Sequence, residues 1–423
     1  MRILSVLILV NCLFINTAFA DEMTELKEQI NSLTRAVQSL KSTVESQQKE
    51  INSLKGTQNE KPRASAALPA PKPAAQAGII PGKFTPEIGV VADIVAESAN
   101  HGLDKETVNR VNVREVELVL GSNVDPYSRL DATVAFTEEH EIDLEEAYLT
   151  RFDLPFRTTA RVGRFLPKIG KAVPIHRDSL DTVDEPFVVQ RYFGEEGLHK
   201  SGVDLTKIIN LPLPSAHQVT IGVLEGGNGE GGTAFGGARW RPTIYGHLKN
   251  YFDIDDSTSF EAGLSDAAGS NDKNNNFQVN VLGLDGTLRR VIDANREIKA
   301  QGEVFYLHRR DDPVGEVSAD TGEFIATADP GGNFWGGYGL FDVRLSQLWG
   351  TGFRFDCVQP VDRLLSDPYK TELGYTGYLT FYQSEFARWR VQFSHIDRTT
   401  GAGDNRVFIQ GTFAIGEHKH KLQ

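Results

Sequence analysis

The chain has 423 residues, a formal net charge of −13, 40 glycines and 2 cysteines. An acidic chain without interleaved basic and aromatic residues is a poor match to a phosphate backbone, so no nucleic-acid partner is expected. Cys12 falls in a leader that export removes, which leaves Cys357 alone. No intramolecular disulfide can then form, and an exported product must be held by its architecture.

Residues 1–20, "MRILSVLILVNCLFINTAFA", place Arg2 before an apolar run and end on Ala18-Phe19-Ala20. They read as a signal peptide cleaved after Ala20, with an apolar run shorter than the ~20 residues of a spanning helix. Residues 21–56 read as a coiled coil. Met23, Ile30, Val37, Val44 and Ile51 recur every seven residues, and Leu26, Leu33, Leu40, Gln47 and Leu54 fill the second core position. At ~1.5 Å per residue such a helix reaches roughly 50 Å, a periplasmic spacer or oligomerisation stalk able to meet the cell wall. The Ala/Pro-rich residues 57–83 follow as a semi-extended linker.

From residue 84 to residue 423 the pattern becomes one of short alternating segments. In 129–136, Leu130, Ala132, Val134 and Phe136 share one face, and Arg129, Asp131 and Thr133 the other. In 388–395, Trp389, Val391 and Phe393 oppose Arg388, Arg390, Gln392 and Ser394. Segments of this kind, about sixteen of roughly ten residues each, suit strands that cross a bilayer at a tilt. Short turns such as 124–127 and 253–258 alternate with long loops such as 308–333. Tyr127, Phe156, Trp240, Tyr251, Trp335, Trp349 and Tyr382 stand near strand ends, as an interfacial girdle requires. The fold expected is all-β: a transmembrane antiparallel barrel of about 16 strands, preceded by the coiled-coil helix.

A barrel of that width leaves an aqueous channel unless a loop folds inward. Residues 166–200 lack a strand pattern and are the candidate. Around their entrance, "RVGRFLPKIGK" (161–171) carries Arg161, Arg164, Lys168 and Lys171, with Arg177 further in. These five are the expected basic constriction, since cationic rings favour anions. Glu141, Asp143 and Glu145 alternate onto one face of the preceding strand as an acidic lining. Opposed walls set a transverse field; equally, the charges can pair with one another and hold the loop.

No catalytic residue, cofactor or metal is expected. "GGNGEGG" (226–232) lacks the Lys-Ser/Thr of a phosphate loop, and Ser394 and His395 are strand neighbours that point to opposite faces. His418 and His420 supply only two zinc ligands.

Residues 84–98, 116–127, 142–155, 161–171 and 184–205 resemble, in that order, the outer-membrane barrels labelled zinc-regulated TonB-dependent receptors, and "GRF" (163–165) is similar to a stretch of phosphate-selective porins. The resemblance implies an outer-membrane transport barrel and brings no catalytic residues. The whole reads as a porin-like channel for small hydrophilic solutes, embedded in outer-membrane lipid. It is expected as a homo-oligomer, a trimer by its porin-like size or a dimer by its coil. The alternatives are an uptake barrel for a metal or metal complex and a structural envelope tether.

Overall fold

A computed structural model describes residues 86–100, 109–138, 141–195, 197–209, 215–226, 234–235, 241–271, 278–318, 321–329 and 331–416. The expected signal peptide, coiled coil and linker lie outside the described residues, as do Trp240, His418, His420 and all of 226–232 but Gly226.

The first half of the wall is built by β1 (Glu87–Ala99), β2 (Arg110–Asp125), β3 (Ser128–Phe136), β4 (Ile142–Leu154), β5 (Thr158–Phe165), β6 (Lys200–Ile209), β7 (Ala216–Leu224) and β8 (Thr243–Asp255). The second half is β9 (Thr258–Ser270), β10 (Gln278–Asp293), β11 (Arg296–Arg309), β14 (Gly332–Arg344), β15 (Trp349–Val358), β16 (Glu372–Ser384), β17 (Ala387–Asp397) and β18 (Gly403–Gly416). Each pairs antiparallel with its neighbours, and β1 closes on β18, so the sixteen strands form one closed barrel. A small hairpin, β12 (Val314–Val317) with β13 (Phe324–Ala328), stands apart in the connection between β11 and β14.

The side-chain alternation is inside-out. Val391 and Phe393 each leave 50% of their surface exposed, while Gln392 between them is at 0% and Arg390 at 2%. Exposing Phe and burying Arg is stable only where lipid covers the outside and a polar interior faces inward, as in outer-membrane barrels. The same inversion runs along β3, with Leu130 and Phe136 outward and Asp131 and Thr133 buried. Tyr127, Phe156, Tyr251, Trp335 and Trp349 are exposed near strand ends, as an interfacial belt requires. Tyr382 differs: it shares the inward parity of buried Thr380, and Arg344 stacks on its ring at 3.6 Å.

The apolar core lies inside the barrel. Residues 166–195 and 197–199 leave β5 at the end of the barrel that carries the long loops and turn inward. Ile169, Val173, Val188 and Phe193 are fully or almost fully buried, against wall residues such as Tyr245, Phe305 and Tyr338. Within this segment α1 (Phe187–Tyr192) makes one and a half turns, its Tyr192 hydroxyl donating to the Gln359 carbonyl at 3.1 Å.

Candidate channel constriction

The loop crosses the lumen by bonding in turn to different strands. Gly170 N donates to Ser265 Oγ at 2.7 Å, and the amides of Lys171 and Ala172 donate to the Glu303 carboxylate at 2.7 and 3.2 Å. Gly170 is needed here twice over. Its φ is +69°, and a Cβ would fall 1.7 Å from Glu303 Oε1. The Lys171 ammonium reaches Glu261 at 2.5 Å, and Asp181 receives Lys299 at 2.7 Å.

From Asp178 onward the loop meets a wall of arginines on β15 and β17. Arg388 donates to the Asp178 carbonyl at 2.5 Å, and Arg390 to the carbonyls of Thr182 and Leu180 at 2.9 and 3.0 Å. Arg354 pairs with Asp356 at 2.7 Å, reaches the Asp184 carbonyl at 2.6 Å and also bonds Thr182 Oγ1. Asp356 in turn accepts the Phe187 amide at 3.0 Å, the first residue of α1. Gln392 completes the row through the Val183 amide and the Asp184 carboxylate. Alternate residues of one strand share a face, so Arg388, Arg390 and Gln392 all point at the loop.

A second wall, β2 and β4, carries buried Glu115, Glu117, Glu145 and Glu146, and a β-bulge brings two of them in side by side. In the β3–β4 ladder Thr133 pairs with Glu146 and Val134 with Leu144, leaving Glu145 as the extra residue. Two consecutive glutamates can therefore both be buried inside, which a regular strand forbids. In the β1–β2 ladder Arg114 is extra in the same way and pairs with Asp93 beside buried Glu115. From the loop, His176 sits between Glu146, 3.1 Å from Nε2, and Glu145, 3.5 Å from Nδ1. Burial opposes a charge on His176, but its bonds to the two glutamates prevail and hold its pKa well above the usual imidazole value. His199, next to it, is pushed down to about 3 by burial and by the charge of His176.

The expected basic residues do not converge into one ring. Arg161 pairs with buried Asp204 at 2.5 Å and stacks over Phe165 at 4.3 Å. Arg164 donates to the Leu144 carbonyl at 2.6 Å and stands 4.0 Å from Asp143. Lys168 bonds Thr206 at 3.2 Å, and Lys171 goes to Glu261. Arg177 approaches Glu115 at 3.7 Å and the Glu195 carbonyl at 3.3 Å. Of the acidic trio, Glu141 is exposed and precedes β4, Asp143 is partly buried, and Glu145 is turned to His176 by the bulge. Arg354, Arg388, Arg390, Glu115 and Glu146, which do hold the loop, were visible only as polar members of alternating strands.

Among the described residues, two cavities beside the loop stand out. One, of about 420 Å³, is lined by Arg114, Arg177, Arg191, Arg398 and Arg406 together with Glu97, Asp184, Glu185 and Glu195. Asp93, Glu372 and Asp404, which pair with four of these arginines, are withdrawn into the wall, so five guanidinium groups and four carboxylates face the cavity. Burial, partly offset by Arg177 and Arg354, pushes Glu185 up to about 8, which leaves it largely neutral at pH 7. The other cavity, about 400 Å³ at the short-turn end, holds Lys171, Asp181, Glu261, Arg289, Glu297 and Lys299.

No protein-family model matches the chain. A protein of Aquifex aeolicus (strain VF5), described as "Uncharacterized protein", is 28% identical over 340 residues, 73% of this chain and 69% of that protein. Among solved structures, OprB of Pseudomonas putida matches with a TM-score of 0.53 at 9% identity, over 78% of this chain and 94% of that one. OmpF of Salmonella typhi, solved in complex with daunomycin, matches with a TM-score of 0.50 at 9% identity, over 78% and 97%. What is shared at such identity is the fold, an outer-membrane barrel of porin type. Sixteen strands also correct the TonB-dependent part of the resemblance, because plugged transporters of that kind close with about 22.

Proposed function

We propose that the protein is a porin-like outer-membrane channel through which small hydrophilic solutes diffuse passively, with the inward loop biasing passage toward anions. The observation that carries this reading is the 420 Å³ cavity beside the loop, where five arginines meet carboxylates of which Glu185 is largely neutral at pH 7. A low-dielectric wall focuses the field of such a cluster on whatever passes. Arg177 is the sequence-identified residue that lines this cavity, and Lys171 lines the other. Arg161, Arg164 and Lys168 act as fasteners of the loop. The reading includes assembly as a homo-trimer, with a dimer as the alternative, and molecular mass in detergent tests it.

Planar-bilayer conductance of the purified protein is the test. Arg177→Gln lowers anion preference, seen as a shift of reversal potential in a salt gradient that shrinks at high salt. Arg161→Gln leaves reversal potential unchanged but lowers the temperature at which the barrel unfolds, since buried Asp204 loses its charged partner and keeps the Tyr245 hydroxyl. A barrel that inserts and does not conduct, or conducts with the same selectivity in both variants, overturns the reading.

A further inference from the structure

The acidic wall contains more than a fastening for the loop. Glu145, His176 and His199 each offer a ligand atom, and these atoms lie within 4.8 Å of one another; Glu115, Glu117 and Glu145 form a second such group. All are buried. His199 is only 8% exposed, yet its Nε2 has no hydrogen-bond partner, and its ring centroid stands 6.3 Å from that of His176. Buried polar atoms are nearly always satisfied, so an imidazole nitrogen without a partner among carboxylates calls for an occupant. The neighbouring Glu115 Oε1 also lacks a hydrogen bond, and Glu145 Oε2 has only the ion-pair contact of 3.5 Å to His176 Nδ1. The permanent cations at hand are Arg177, 3.7 Å from Glu115, Arg114, engaged with Asp93, and Arg164, held to the Leu144 carbonyl.

We propose that Glu145, His176 and His199 bind one divalent transition-metal ion of the zinc class, which fastens the constricting loop to the β2–β4 wall. Two imidazoles and a carboxylate are the donor set such ions prefer, whereas calcium and magnesium take oxygen throughout. Tetrahedral ligands at ~2.0–2.1 Å stand roughly 3.4 Å apart, so the three side chains move by an ångström or so to close on an ion. His176 keeps its second nitrogen toward Glu146, the carboxylate–imidazole–metal arrangement that fixes a ligand ring. Two of the ligands belong to the loop and one to the wall, so binding joins them. The site stands on its own geometry and is independent of whether the barrel conducts.

The test uses the full chain in detergent, stripped with a chelator, in a His418→Ala/His420→Ala background so that the tail histidines do not contribute. Titration with Co²⁺ gives a visible d–d band saturating at one ion per chain, and Zn²⁺ bleaches it with the same stoichiometry. His199→Gln and Glu145→Gln each weaken Co²⁺ binding at least about tenfold. Should His199→Gln fail to fold, judged by heat-modified gel migration, X-ray absorption on the Zn²⁺-loaded parent decides: two imidazoles in the first coordination sphere support the site. No saturable band, equal affinity in His199→Gln, or an all-oxygen zinc environment overturns the proposal.

Discussion

The two walls that grip the inward loop do so with opposite chemistry. β15 and β17 present Arg354, Arg388 and Arg390, which take the loop by its backbone carbonyls and by Asp184. β2 and β4 present Glu115, Glu145 and Glu146, which take it by side chains, His176 and Arg177, and by the Leu166 amide. A carbonyl is present at every residue, so apart from Thr182 and Asp184 the basic wall constrains the loop's path and places few demands on its sequence. The acidic wall needs particular side chains at particular positions. One wall sets where the loop runs, and the other sets what it must carry.

The largest effect is expected on the basic wall. Arg354 is 1% exposed and paired with Asp356 at 0%. Arg354→Met strands that carboxylate in a buried place, at a cost of about 3–5 kcal/mol, and releases Thr182 and Asp184. The unfolding temperature on a gel falls markedly and single-channel conductance rises as the loop loosens. Adding Asp356→Leu restores part of the heat resistance, because no fully buried charge is then left alone, although Asp184 still lacks its arginine and the Phe187 amide its acceptor. Glu146→Gln on the acidic wall keeps an acceptor for the Leu166 amide at 3.2 Å and loses less. Equal losses on the two walls would break the comparison.

Much of the wall was legible in the sequence because a period of two is a local property. Val391, Gln392 and Phe393 declare their faces without reference to any other strand. The loop was legible as a segment without alternation that carries Gly170 and Pro167. Its partners were not, since Arg390 lies 208 residues from Thr182 and nothing local links them. The acidic wall was misread for a different reason. Strict alternation puts Glu141, Asp143 and Glu145 together, but the bulge breaks the period between Leu144 and Glu146 and brings Glu145 and Glu146 inside together. A bulge is fixed by pairing across the ladder, which alternation along one strand does not report. The arginines of β15 and β17 were visible as a polar face, and only the loop's return across the lumen turns them into a site.

A moderate effect is expected from pH at the cavity between the walls. Glu185 is held up to about 8 by burial, with Arg177, Arg354 and Arg114 opposing and Asp184 reinforcing the shift. Between the ordinary carboxylate value and about 8 the folded state therefore keeps a proton that the unfolded chain has released. Stability from this group is complete below about 4.5 and is lost as pH rises toward 8. Ionisation also adds a negative charge among the arginines, so anion preference declines with a midpoint near 8. Reversal potential measured from pH 6 to 10 reads the midpoint, and Glu185→Gln flattens the curve. A titration unchanged in that variant would assign the pH response to another group.

The smallest effect checks the face on which the comparison rests. Cys357 follows Phe353 and Phe355 along β15 at intervals of two, and both phenylalanines are exposed on the outside. Arg354 and Asp356 between them are buried inside, so the thiol points outward, half-covered. In intact membranes a bulky, membrane-impermeant maleimide labels it slowly, because lipid and not water covers that face. In detergent-free denaturant the same reagent labels it completely. Cys357→Ser changes neither conductance nor selectivity, since no loop bond passes through it. Rapid labelling in membranes would put Cys357 on the water side, Arg354 and Asp356 toward lipid, and a buried ion pair where hydrocarbon cannot hold one. It would remove the basic wall, and with it the contrast between a wall that reads backbone and a wall that reads side chains.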